Sequence, residues 1–104
     1  MKKFSELLPT LAAADHVQRI ILTTAEGNSA GVIENKPGSQ GSIRVYYHLQ
    51  QKWGQLNVDA AQDGLAIYAE HTEEAKLHPG KHPNIDRLLG IIRDQATLSV
   101  QIES

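Results

Sequence analysis

Ile85, Leu88, Leu89 and Ile92 stand at i, i+3, i+4 and i+7, the spacing that places apolar side chains on one face of an α-helix. The pattern predicts a helix from Ile85 to Arg93, capped by Asn84 and preceded by the breaker His78-Pro79-Gly80-Lys81-His82-Pro83. Gly90 inside it costs about 1 kcal/mol relative to Ala, which predicts close packing against a neighbouring element. Ala61, Leu65, Tyr68 and Ala69 form a second stripe behind an Asn57 cap, with Asp59 suited to the dipole, and predict a helix running to about Lys76. Phe4, Leu7, Leu8 and Leu11 predict a short first helix that Ser5 could cap and Ala12 to Ala14 could extend; Pro9 must either start or kink it.

Elsewhere the period is two. Val17 to Thr24 is rich in β-branched residues, and the unbroken apolar run Ile20 to Leu22 predicts a central strand covered on both faces. Ala25-Glu26-Gly27-Asn28 supplies turn chemistry, so Ala30 to Glu34 returns as the second strand of a hairpin. Leu98, Val100 and Ile102 alternate with polar residues and predict a half-buried C-terminal strand. Ser42 to Trp53 reads two ways. Ile43, Val45, Tyr47 and Leu49 alternate as in a strand, whereas Val45, Tyr46, Leu49 and Trp53 fit one helical face. Helix is the better reading, because Ser42 can cap it and Gly54 stands where a left-handed C-terminal residue belongs. The order helix, hairpin, three helices, strand predicts an α+β fold: a small, mostly antiparallel three-stranded sheet, hairpin plus C-terminal strand, with helices packed on one side.

The 104 residues have room for one domain, 1–104. Ten Lys and Arg against twelve Asp and Glu leave a formal charge of −2, which argues against nucleic acid or a membrane surface as partner. The basic start Met1-Lys2-Lys3 leads into no unbroken apolar core for export, and no run approaches the ~18 residues of a membrane span, so a cytoplasmic location is expected. The absence of Cys excludes disulfides, thiolate nucleophiles and Cys-based metal sites, leaving hydrophobic burial to hold the fold. A domain of this size buries only about two-thirds of its unfolded surface, so pairing with a second copy would add stability.

Three segments carry a resemblance: Gly31 to Tyr47, Gly64 to Thr72 and His78 to Leu89. Through them the chain resembles a small proteobacterial family of uncharacterised proteins of about this length. The resemblance implies a bacterial single-domain protein and brings no activity, cofactor or catalytic residue to any position.

The strongest chemical candidate is the loop Lys36-Pro37-Gly38-Ser39-Gln40-Gly41-Ser42 with Arg44. A helix starting at Ser42 would present unpaired amides and a positive dipole end beside glycines, hydroxyls and cations, so Lys36, Gly38, Ser39, Gly41, Ser42 and Arg44 are candidate anion ligands. The same residues also read as a Pro-Gly turn followed by an ordinary serine cap. Neither a Walker-type nor a Rossmann spacing is present. The second candidate gathers Glu70, His71, Glu74, His78 and His82, donor types that suit zinc or a similar ion, with Glu70 or Glu74 available as general base; its alternative is a solvated acidic helix and a turn. Lys81, His82 and Asn84 could add a second rim around an anion if their loop meets the first. Asp86 and Arg87 read as surface charges or part of a local pair, and Tyr46, Tyr47, Trp53 and Tyr68 as packing aromatics. The expected function is a non-enzymatic binding module, without cofactor, for a small anionic ligand or a protein partner. The alternative is a small metal-dependent, hydrolase-like enzyme using His71, His78, His82 and Glu74.

Overall fold

The central strand of the sheet is β1 (Arg19–Thr23), flanked by β2 (Ser29–Glu34) and β3 (Ser99–Glu103), both antiparallel to it. This computed structural model describes residues 2–104, so Met1 of the basic start lies outside it. Ile20 and Leu22 are buried on the inner face, each opposite an apolar residue of β3, Ile102 and Val100. The expectation of a strand covered on both faces fails at Ile21, which points the other way beside the exposed Val32. Side chains alternate along a strand, so a three-residue apolar run cannot all face one core. On the outer face Arg19 lies between Glu34 at 3.3 Å and Glu103 at 2.8 Å, a rung of charges across all three strands.

The helices lie on the inner side, as expected, though their boundaries differ. Helix α1 (Phe4–Leu7) ends before Pro9, which sits in a 3-10 turn over Leu8–Thr10, and Ala12 to Ala14 are not helical. Lys3, not Ser5, occupies the N-cap of α1. Residues 42–53 are helical: α2 spans Gln40–Trp53 and ends at Gly54 with φ +76°. Its N-cap residue is Ser39, not Ser42, because the turn after Glu34 already delivers the chain into helical geometry there.

The long helix expected from Asn57 to Lys76 is two helices, α3 (Val58–Tyr68) and α4 (Glu70–Leu77), broken at Ala69 with φ +53°. Thr72 Oγ1 donates to the Leu65 carbonyl at 2.6 Å, replacing an intrahelical partner that the break removes. Four helices therefore follow the hairpin. Asn57 caps α3 as expected, accepting from the Ala60 amide at 2.8 Å. The last helix, α5 (Pro83–Asp94), starts earlier than expected, with His82 at the N-cap and Asn84 inside the first turn. Pro83 at its start pre-sets φ and lacks only a donor that would be orphaned anyway.

Ile43, Val45, Tyr46 and Leu49 of α2 are fully buried, as are Leu56 and, on α5, Leu88. Leu56 and Leu98 exchange both backbone hydrogen bonds at 2.9 Å, tying the α2–α3 connection to the start of β3. The close approach expected at Gly90 occurs at Gly64 instead, where a Cβ would stand 2.8 Å from Leu88 Cδ1 and 2.9 Å from Leu49 Cδ1. A Cβ at Gly90 would meet only Arg93 Nη2 at 3.6 Å, since that helix face packs loosely. No helix among the described residues is long and apolar enough to cross a membrane.

Arg87 carries the contact between α5 and the sheet: its Nε donates to the Ala30 carbonyl at 3.0 Å. The guanidinium presses on Gly31, whose φ of +124° excludes a side chain and whose Cβ would come within 2.4 Å of Arg87 Nη2. Gly31→Ala is expected to destabilise the fold by about 2 kcal/mol, lowering Tm by ~8–16 °C. An unchanged melting curve would show that neither the backbone angle nor the arginine constrains this position.

The C-terminal end of α2 is held to α3 by Asp63, whose Oδ2 accepts from Trp53 Nε1 at 3.0 Å and lies 3.1 Å from Lys52 Nζ. Partial burial pushes the Asp63 carboxyl up, but hydrogen bonds from Trp53 and Lys52 and the Lys52 charge outweigh it, so it sits below its ordinary 3.8. A depressed carboxyl stabilises the fold at pH values above the ordinary one and ceases to do so as pH falls through the folded value. Trp53 fluorescence should therefore stay constant down to about pH 4 and change below it, and Asp63→Asn should remove that transition.

Candidate functional site

The first turns of α2 and α5 open onto one cleft of about 500 Å³. Gly38, Gln40, Gly41 and Ser42 line it from the α2 side, and Lys81 to Ile85 from the α5 side. Phe4 and Leu8 of the N-terminal segment and Tyr68 and His71 from the α3–α4 junction complete it. The 36–44 and 78–84 loops, far apart in sequence, thus meet through this cleft.

Among the described residues, the amides of Gln40, Gly41 and Ser42 have no hydrogen-bond acceptor, and neither does that of Asn84. They are the orphan donors of two helix starts, and the positive dipole ends of both helices lie beside the same space. Gly41 also allows close packing, since a Cβ there would stand 3.3 Å from the Phe4 ring. Ser42 Oγ accepts from the Tyr68 hydroxyl at 2.7 Å, leaving its own O–H to donate elsewhere. Burial pushes the Tyr68 hydroxyl far up, so it stays a neutral donor.

Of the six anion ligands expected from sequence, Gly38, Gly41 and Ser42 line the cleft, whereas Lys36, Ser39 and Arg44 do not. Ser39 turns its hydroxyl back to the Glu34 carbonyl at 2.5 Å, and Lys36 lies on the exposed loop outside the cleft. Arg44 follows Ser42 by two residues, about 200° around the helix. It faces a smaller cleft instead, donating to the carbonyls of Leu11 at 2.5 Å and Ala12 at 3.3 Å. Its charge is used to anchor the segment after α1.

The histidine and glutamate group is partly assembled. His71, Glu74 and His82 each offer a donor atom within 4.8 Å of the others. His82 Nε2 and Glu74 Oε1 are 2.5 Å apart, and Lys81 Nζ lies 3.5 Å from that oxygen. The His82 hydrogen bond, then the Lys81 charge, hold the Glu74 carboxyl below its ordinary range. His78, the C-cap residue of α4 just before the Pro-Gly turn, is exposed and stands outside the group. Glu70 is outside as well, its Oε1 accepting from the Phe4 amide at 2.8 Å. Phe4 in turn stacks on Tyr68, centroids 5.4 Å apart, and meets His71 edge-on at 5.2 Å.

Two residues read as surface charges have defined work. Asp86 accepts from the Gly80 amide at 2.9 Å and shapes the turn that carries Lys81 and His82. Arg87 Nη1 donates to Asn84 Oδ1 at 2.9 Å and to the Tyr46 hydroxyl at 3.2 Å, and that hydroxyl donates to the Asn84 carbonyl at 2.5 Å. Burial, partly offset by Arg87, pushes the Tyr46 hydroxyl up to about 12, so it too remains a donor. A burial-independent signal existed only for Asp86, three residues after the Pro83 helix start where an acidic side chain suits the dipole.

A family model described as an uncharacterized protein conserved in bacteria (DUF2322) matches residues 4–102. No curated protein and no solved structure matches the chain.

Glu70 fixes the N-terminal wall of the cleft. Glu70→Ala should release the Phe4 amide and move the Phe4 ring resonances toward their unstructured positions as the Tyr68 and His71 ring currents are lost. Amide exchange in β1 should be unaffected. Unmoved Phe4 resonances would mean that ring packing alone seats α1.

Proposed function

We infer, for a chain that belongs to this bacterial family whose description assigns no activity, that the protein is a binding module whose cleft takes the anionic group of a small molecule or partner. The observation that carries the reading is the convergence of two helix starts, with unpaired amides at Gln40, Gly41, Ser42 and Asn84, on one concave space. Ser42 Oγ and the ammonium of Lys81 add a hydroxyl donor and a mobile positive charge. Phosphate and carboxylate oxygens are the complement of such a set, because each can accept from several backbone donors at once. The hydrolase-like alternative draws on the wall of the same cleft, which His71 and His82 line with Glu74 beside them. Of the two bases it calls on, Glu70 accepts from the Phe4 amide and Glu74 would serve as a ligand. Binding needs no such group.

Titration of isotope-labelled, chelator-treated protein with inorganic phosphate and with acetate tests the reading. Amide resonances of Gln40, Gly41, Ser42 and Asn84 should shift together and saturate. Lys81→Ala should weaken binding about fivefold, the effect of about 1 kcal/mol from a partly exposed charge. Lys36→Ala should leave it unchanged. Static amides at 40–42 and 84 under millimolar ligand would remove the reading.

A further inference from the structure

We propose that His71, Glu74 and His82 bind a divalent cation of the zinc type in the wall of the cleft, an inference that rests on the anion reading only for what the cation would meet there. One donor atom from each residue lies within 4.8 Å of the other two. Two imidazoles and a carboxylate are a donor set that zinc and its neighbours favour, and three protein ligands leave an open coordination position. The fold prepares the three side chains. His71 and Glu74 are three apart on α4 and share a face, while His82 precedes Pro83, which restrains its backbone. The His71 ring is packed edge-on against Phe4, and the two imidazole centroids are 5.7 Å apart.

His82 Nε2 and Glu74 Oε1 are joined by a 2.5 Å hydrogen bond across the place a cation would take. A zinc ion about 2.0–2.2 Å from each donor needs that pair to open by less than about 1 Å, within reach of half-buried side chains. Lys81 Nζ, 3.5 Å from the same oxygen, supplies the positive charge in the metal-free chain. Its side chain is 58% exposed and free to swing into solvent. His71 and His82 line the cleft whereas Glu74 does not, so Glu74 backs the cation and the open position faces the space beside Ser42 and Asn84. An anion oxygen bound there would complete the coordination.

Titrating the 104-residue chain with Co²⁺ in buffer free of phosphate and carboxylate, followed by the visible absorption of tetrahedral cobalt, tests the site. Saturation at one equivalent is expected. His71→Ala and His82→Ala should each weaken binding at least about tenfold. His78→Ala should not change it, and Lys81→Met should strengthen it by up to about fivefold. Thermal melts without metal check that each variant folds, and Glu74→Gln replaces any that does not. Absence of saturable binding below about 1 mM, or binding that survives His82→Ala, would overturn the proposal. With no anion present, that failure leaves the phosphate titration standing. Cobalt binding without phosphate binding would keep the cation site and remove the anion reading.

Discussion

The guanidinium of Arg87 holds together three pieces of the chain that share no sequence neighbourhood. It reaches the Ala30 carbonyl on β2, the Tyr46 hydroxyl in the middle of α2 and the Asn84 side chain in the first turn of α5. Its plane also lies over the Tyr46 ring, 5.7 Å from the centroid. A half-buried arginine satisfied by neutral oxygens and an aromatic face loses hydration, and recovers it through several fixed hydrogen bonds whose geometry a lysine could not reproduce. The consequence is positional. The start of α5 is held against α2, and the cleft exists because both helices begin at that place.

The same economy runs through the N-terminal segment. Phe4 is bound by its amide to Glu70 and by its ring to Tyr68 and His71, and Arg44 collects the carbonyls that follow the 3-10 turn. A short segment that could not be a stable helix alone becomes a wall of the cleft, because helix nucleation is costly and only tertiary contacts repay it. The cation of Arg44 and the carboxylate of Glu70, both candidates for chemistry by residue type, are used in this fastening. The proposed binding draws instead on groups that fastening does not consume: the orphan amides, the Ser42 hydroxyl, Lys81 and the His71, Glu74 and His82 group.

Burial separates Tyr46 and Tyr68 from any proton chemistry near neutral pH. Tyr46 and Tyr68 stay protonated, each giving its hydrogen to a defined oxygen, the Asn84 carbonyl and Ser42 Oγ. They set the positions of one residue from each helix start and so transmit the packing of the core to the rim of the cleft.

Local patterning by itself determined the hairpin, the Gly54 and Asn57 boundaries and the one-sided α+β layering, because each depends on neighbours within about one turn or on strand alternation; for residues 42–53 it favoured helix over an equally regular strand alternation, and the packed fold made the choice. It also marked the two loops that meet in the cleft, since Gly, Pro and cations stand out in any linear reading. Tertiary structure alone decided the break at Ala69, where a positive φ is stabilised by the Thr72 to Leu65 bond and by the Glu70 contact with a residue 66 positions away. It alone decided that Gly64, not Gly90, is the close contact, that Arg44 fastens the Leu11 and Ala12 carbonyls, and that His82 joins His71 while His78 does not. Periodicity assigns a side chain to a face of its own helix. Which other element that face meets is settled by packing between segments distant in the chain, and no local spacing encodes it.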